Sequence, residues 1–199
     1  VTQAQDLSAL TARIEKLELE LAQRRDTDAI HAVLERYSRA VDWLDAELLA
    51  TVFFDDAEID YGFFKGSGKD FRPLLMDIER SIDKRWHSAS NVSIRLHGDC
   101  ADVASYQFSV SNVPGAPRPQ TDLMHAYGFY LDRMERRDGR WGIARRKHIA
   151  VGGTIIPGVG SDGMFAVLNH LVDASPAHVD YPRATALGRN SGAVTPIET

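Results

Sequence analysis

MHAYGFYLDRMERRDGRWGIARRKHIAV, residues 124–151, is the stretch that decides the fold. Met124 to Arg136 and Trp141 to Val151 both carry aromatic and β-branched residues at strand periodicity. Asp138-Gly139 between them is a strong signal for a two-residue hairpin. Working towards the N-terminus, Trp86 to Leu96 and Cys100 to Val110 show the same periodicity, with a turn expected at His97-Gly98-Asp99. These four runs predict a long antiparallel meander.

Helical spacing dominates what precedes it. Leu7, Leu10, Ile14, Leu17 and Leu21 recur at intervals of three and four, a heptad seam about two repeats long. Such a seam is too short for a stable isolated coiled coil, so it is expected to pack on a neighbouring subunit rather than on its own domain. Asp26 and Thr27 interrupt the seam and are expected to cap a second helix, Thr27 to Asp42, with Ile30, Val33, Leu34, Tyr37 and Val41 as its apolar stripe. A short helix burying Leu48, Leu49, Val52 and Phe53 should end at Phe54-Asp55-Asp56, followed by a strand from Ala57 to Tyr61. Gly66 and Gly68 mark a turn, and Asp70 to Ile82 reads as a helix with Phe71, Leu74, Leu75 and Ile78 inward. Helices gathered on one face of an antiparallel sheet make an α+β fold, and a strongly bent sheet closed over helices encloses a pocket.

After Val151 the periodicity fades. Gly152, Gly153, Gly158, Gly160 and Gly163 loosen the chain, a short helix could form over 164–172, and the last residues are rich in Pro, Ser, Gly and Thr. The organisation expected is therefore an N-terminal amphipathic helix over 1–25, one domain over 26–151, and an extension over 152–199 that could serve as a lid or a subunit-bridging tail.

Hydrophobic residues at 44% and charged residues at 26% of 199 fit one globular domain with appendages. A formal net charge of -5 gives no reason to expect nucleic acid or an anionic membrane as partner. The basic run Arg133, Arg136, Arg137, Arg140, Arg145, Arg146 and Lys147 is interleaved with strand residues and reads as a solvated hairpin edge. Cys100 is the sole cysteine, expected as a small buried strand residue, which excludes an intrachain disulfide and argues against a thiolate zinc site. No apolar run approaches a membrane span and no secretion-type apolar segment precedes a cleavage site, so a cytoplasmic location is expected. Nucleotide, P-loop, zinc-protease and serine-hydrolase motifs are absent, and no metal or cofactor is expected.

For chemistry, Asp42 ends a helix and His87 begins a strand. Together in one cavity, such a carboxylate fixes the imidazole tautomer and raises the basicity of its other nitrogen. Three segments carry a family resemblance. They are Ala29-Ile30 with Tyr37-Ser38-Arg39-Ala40-Val41-Asp42, then Phe53-Phe54-Asp55-Asp56-Ala57-Glu58-Ile59-Asp60-Tyr61-Gly62, and Gly128-Phe129-Tyr130-Leu131-Asp132-Arg133 with the hairpin to Ile143. In order and spacing they resemble the SnoaL-like (nuclear transport factor 2-like) superfamily over about residues 26–151. The resemblance is nearest to its cofactor-independent lyases, the scytalone dehydratase, hexachlorocyclohexane dehydrochlorinase and bile-acid 7α-dehydratase group.

That resemblance implies a cone-shaped barrel and an Asp42–His87 catalytic dyad, with Tyr37 and Arg146 as further active-site groups. It implies proton abstraction from a hydrophobic cyclic small molecule, and a homo-oligomer, trimer over dimer. Where the bile-acid enzymes carry a second pocket Asp, the strand here reads Tyr106-Gln107-Phe108-Ser109-Val110. If His125, Tyr127 and Phe129 share a pocket face, the lining is aromatic; Tyr61, Phe63, Tyr106 and Phe108 are further candidates for it. A second class stays open on the same resemblance: a non-catalytic binding or assembly subunit like the β subunit of ring-hydroxylating dioxygenases.

Overall fold

A computed structural model describes residues 2–117, 120–158, 167–168, 171 and 173–181. The chain begins with one helix, α1 (Thr2–Asp42), and not two. The break expected at Asp26-Thr27 does not occur because both side chains are satisfied without ending the helix. Thr27 Oγ1 donates back to the Gln23 carbonyl at 2.9 Å, the in-helix option open to a threonine. The Asp26 carboxylate accepts from Arg136 Nη1 at 2.6 Å and Trp141 Nε1 at 2.9 Å. Asp26 thus ties the middle of α1 to the hairpin instead of capping it.

From Ile30 onward α1 buries Val33, Leu34, Tyr37, Ala40 and Val41 against the sheet, as the stripe predicts. Leu44, at positive φ, and Asp45 then turn the chain into α2 (Ala46–Ala50), with Asp45 Oδ1 accepting from Leu48 N at 2.8 Å. The first strand, β1 (Phe53–Asp60), starts four residues earlier than its expected start at Ala57. Val52 and Phe53 are drawn into the sheet, where the Val52 carbonyl accepts from Ile143 N at 2.8 Å and Phe53 pairs with Ile143.

The turn expected at Gly66 and Gly68 lies instead at Tyr61 to Phe64, where Gly62 has φ 77°. Gly66 sits in β2 (Lys65–Ser67) and Gly68 opens α3 (Gly68–Arg80), capped by Ser67. The inward stripe of α3 is Phe71, Leu75, Met76 and Glu79; Leu74 is exposed, contrary to expectation.

The meander follows as β3 (Arg85–His97), β4 (Cys100–Asn112), β5 (Leu123–Arg137) and β6 (Arg140–Ile156). Asp138 and Gly139 both take positive φ, 51° and 74°, as a tight hairpin requires. The order across the sheet is β2-β1-β6-β5-β4-β3, antiparallel except for the parallel β1–β6 pair, which the sequence does not announce. Register shifts between Ser90 and Ser93, at Tyr127/Gly128 and at Arg133/Met134 interrupt the long ladders, and such bulges bend a sheet. β6 also continues through the glycines to Ile156, five residues past the expected domain edge at Val151. Glycine suits the strand there: a Cβ on Gly152 would lie 2.9 Å from the Tyr127 hydroxyl, and one on Gly153 2.6 Å from the His125 carbonyl.

The result is an α+β fold, with helices packed on one face of an open, bent six-stranded sheet and the core between them. The helix expected over 164–172 falls, apart from residues 167, 168 and 171, outside the described residues. His178 and Tyr181 pack their rings on Trp43, and the Tyr181 hydroxyl donates to Asp45 Oδ2, so this part of the extension docks beside the turn after Asp42. Among the described residues no helix is long and apolar enough to cross a membrane.

Candidate functional site

Asp42, the last residue of α1, holds His87 twice. His87 Nδ1 lies 2.7 Å from Asp42 Oδ1, and the His87 backbone N–H donates to Oδ2 at 3.1 Å. A carboxylate only accepts, so Nδ1 carries the proton and Nε2 of the neutral ring holds the free lone pair. An anion at a helix C-terminus is electrostatically unfavourable. The two N–H donors from β3 offset that and fix the ring in one orientation.

On its other side the imidazole meets a carboxylate that the sequence reading missed. Glu79 is 4% exposed, and its Oε1 stands 3.7 Å from His87 Nε2, while its Oε2 stands 3.8 Å from Arg85 Nε. Neither separation is a hydrogen bond, and Oε2 has no hydrogen-bond partner. Burial pushes the Glu79 carboxyl up, and the Asp42 charge adds to it against the lowering effect of His87 and Arg85. For His87 burial alone would lower the pKa. The hydrogen bond to Asp42 and the charges of Glu79 and Asp42 outweigh it and raise the imidazole above its ordinary value.

Tyr37 and Arg146 belong to a neighbouring buried cluster. The Tyr37 and Tyr61 hydroxyls are 3.0 Å apart. Arg146, fully buried, makes a two-pronged pair with Asp132 at 2.8 and 2.7 Å, and its guanidinium lies over the rings of Tyr37 at 4.6 Å and Tyr130 at 4.0 Å. Burial works against its charge, but the charge and hydrogen bonds of Asp132 together with Tyr61 and Tyr130 outweigh burial and hold the guanidinium above its ordinary range. Burial raises the Tyr37 and Tyr130 phenols, so both stay neutral. His148 joins the cluster, 5.0 Å from the Tyr61 ring, with a buried Nε2 that lacks a partner. Burial and Arg146 lower its pKa and keep it neutral.

The inward face of β4 is polar. Ser105, Gln107, Ser109 and Ser111 are all buried, alternating with exposed outward residues. Ser109 pairs with His87, Gln107 with Ala89 on one side and Gly128 on the other, and Ser105 with Tyr130. Gln107 Nε2 donates to Ser109 Oγ at 2.9 Å, leaving Gln107 Oε1 and Ser105 Oγ without partners. This strip connects His87 to the tyrosine cluster, and the only sequence signal for it is the alternation Ser105-x-Gln107-x-Ser109-x-Ser111.

The expected aromatic lining is placed elsewhere. His125, Tyr127 and Phe129 do share a face, and Tyr106 and Phe108 share it with them, but it is the outer face of the sheet. Tyr106 and Tyr127 are 52% and 44% exposed, and Trp86 is exposed beside Phe108. The register decides this: the inward positions opposite Gln107 and Ser109 are Gly128 and Ala126, so the odd-numbered residues of β5 point away from Asp42 and His87. Phe63 is exposed in the loop after β1. Of the eleven candidates, the structure gathers Asp42 and His87 into one pair and Tyr37, Tyr61 and Arg146 into the adjoining cluster.

A groove of about 1410 Å³ runs along α1 and reaches His87, Ser88 and Ala89; Asp42 and Glu79 are not among the residues that line it. Among the described residues no group of three or more His, Cys, Asp or Glu side chains is placed to hold a metal ion.

The fold is shared with solved structures. A candidate scytalone dehydratase from Novosphingobium aromaticivorans is 26% identical with a TM-score of 0.58, over 69% of this chain and 90% of that one. A type 3 hexachlorocyclohexane dehydrochlorinase from Novosphingobium barchaimii is 19% identical with a TM-score of 0.62, over 70% and 96%. A candidate aromatic ring hydroxylase from Novosphingobium aromaticivorans is 19% identical with a TM-score of 0.56, over 65% and 90%. No curated protein matches the chain. The SnoaL-like domain model matches residues 22–147, from the middle of α1 to the heart of β6, and with that match the chain belongs to the SnoaL-like family of the nuclear transport factor 2-like superfamily.

Proposed function

We propose that the chain is a cofactor-independent lyase that abstracts a proton from a cyclic small molecule through His87. The observation that carries this reading is the double hold of Asp42 on His87, which fixes the ring through Nδ1 and leaves Nε2 as its basic nitrogen. Asp42 orients the ring and stabilises the imidazolium once the proton has moved. The polar strip Ser105-Gln107-Ser109 offers hydrogen bonds to oxygens on the substrate, and the hydroxyl pair of Tyr37 and Tyr61 can donate to a developing oxyanion or a departing group. Arg146, committed to Asp132, holds the tyrosine rings in place and supplies positive potential from behind them. The dehydratase and dehydrochlorinase names among structural relatives agree with elimination chemistry. The step breaks a C–H bond by transfer of its proton to Nε2 and forms the C=C bond as the bond to oxygen or halogen breaks. A leaving hydroxide takes that proton back from the His87 imidazolium and departs as water; a leaving halide departs as the anion while the imidazolium returns its proton to solvent.

The test is a panel of cyclic β-hydroxyketones and β-chloroketones, whose elimination products are conjugated enones read by ultraviolet absorbance. Turnover that His87→Ala abolishes in a folded protein supports the reading. Turnover that survives His87→Ala removes it.

A binding or assembly subunit is the second reading, favoured by the exposed aromatic outer face of the sheet at Trp86, Tyr106 and Tyr127. Association with a different, larger chain through that face, with no turnover of the panel, would select it.

A further inference from the structure

The N-terminal half of α1 carries an apolar seam that nothing among the described residues covers. Leu7, Leu10, Ile14, Leu17 and Leu21 are between 48% and 65% exposed. The buried stripe of the same helix faces away from them. Ile30, the first fully buried residue of the helix, comes nine residues after Leu21, which at about 100° per residue is half a turn away. Tyr37 and Val33 stand close to half a turn from Leu21 and Leu17 by the same spacing. Because α1 runs unbroken from Thr2 to Asp42, seam and core stripe face opposite sides of one rod.

We infer that this seam pairs with the same seam of a second copy, in a parallel, in-register two-stranded coil. With Leu7, Ile14 and Leu21 at a and Leu10 and Leu17 at d, the flanking g and e positions are Arg13 with Glu18, and Glu20 with Arg25. In a parallel pair each g residue meets the e residue five positions on in the other helix. Both contacts, Arg13 to Glu18 and Glu20 to Arg25 across the pair, join opposite charges, and symmetry doubles each. Among the described residues Arg13 and Glu18 have no ion-pair partner within the chain, whereas Glu20 already has Lys16 at 3.8 Å. The two domains do not obstruct the arrangement, since each lies on the side of its helix away from the seam.

Two heptads are too few for a free peptide, chiefly because such a peptide must first nucleate its helix. Here residues 26–42 are held helical by the core and by the Asp26 contacts to Arg136 and Trp141, so the seam extends a helix that already exists.

The full-length Ile14→Cys protein tests the pairing, with the wild-type chain, whose sole cysteine is Cys100, as control. Cysteines at one a position meet in a parallel in-register pair. Mild oxidation should therefore give a covalent dimer from Ile14→Cys and not from the wild type. Arg13→Glu or Glu18→Arg in that background should lower association on the order of fivefold to tenfold, because two attractive contacts become repulsive, and the double reversal should restore it. No disulfide at position 14 overturns the inference, as does a double reversal no better than the single changes. A mass unchanged when residues 1–24 are removed would assign the seam no partner of its own kind, and would equally overturn it. None of these outcomes bears on the lyase reading, whose tests are chemical.

Discussion

The two oxygens of Asp42 are divided between the ring and the backbone of one residue: Oδ1 takes His87 Nδ1 at 2.7 Å and Oδ2 takes His87 N at 3.1 Å. The carboxylate therefore anchors the first residues of β3 to the end of α1 as well as fixing how the imidazole is turned. Asp42→Asn keeps an oxygen for the backbone and loses the anion that stabilises the imidazolium. Turnover should fall on the order of 10²–10⁴-fold while circular dichroism and Tm stay near wild type. A fall in Tm large enough to unfold the protein would show that the pair serves the fold first.

His87 stands between two carboxylates, and both raise its pKa against the opposing effect of burial. A general base works only when neutral. The rate should therefore be lost as pH falls through the raised pKa, so the acidic limb of kcat/KM lies above the ordinary histidine value of about 6.5. Removing the Glu79 charge with Glu79→Gln should move that limb to lower pH. A limb that does not move would mean that Glu79 does not act on the base.

Ser105 Oγ and Gln107 Oε1 are buried without partners, a state that costs stability unless a ligand or water fills it. Ser105→Ala should leave Tm unchanged or raise it, by up to about 1 kcal/mol of stability, and should raise KM for an oxygenated substrate. A lower Tm with unchanged KM would assign Ser105 to the fold.

Arg146 and Asp132 are fully buried and paired through two hydrogen bonds. Asp132→Asn leaves a guanidinium without its counter-charge beneath Tyr37 and Tyr130, and should cost about 3–5 kcal/mol in urea denaturation. A loss near zero would mean that the tyrosine cluster does not depend on this pair.

Much of this was legible in the residues because local rules and tertiary structure agree. Asp138-Gly139 forms its hairpin and the stripe Ile30 to Val41 is buried. The meeting of Asp42 with His87 across 45 residues follows from the family resemblance and not from any local rule. Misreadings arise where a side chain has a second use. Asp26 and Thr27 are good caps, but here one reaches the hairpin and the other bonds back along its own helix. Glu79 is not singled out by the sequence, although it continues the spacing Phe71-Leu75-Glu79 on the buried side of α3. The aromatic face was placed inside because alternation pairs His125 with Tyr127 and Phe129 without saying which side of the sheet they take. Only the opposition of Gln107 to Gly128 and Ser109 to Ala126 settles that.

The central claim is that His87 removes a proton from carbon, and isotope exchange measures that step without requiring a leaving group. Tetralone, decalone and chromanone would be incubated with the protein in D₂O and followed by proton NMR for loss of the signals next to the carbonyl. Exchange accelerated by the wild type on at least one ketone, and returned to the background rate by His87→Ala, is the result predicted. Exchange that His87→Ala leaves unchanged, or no acceleration on any of the three, would contradict the claim.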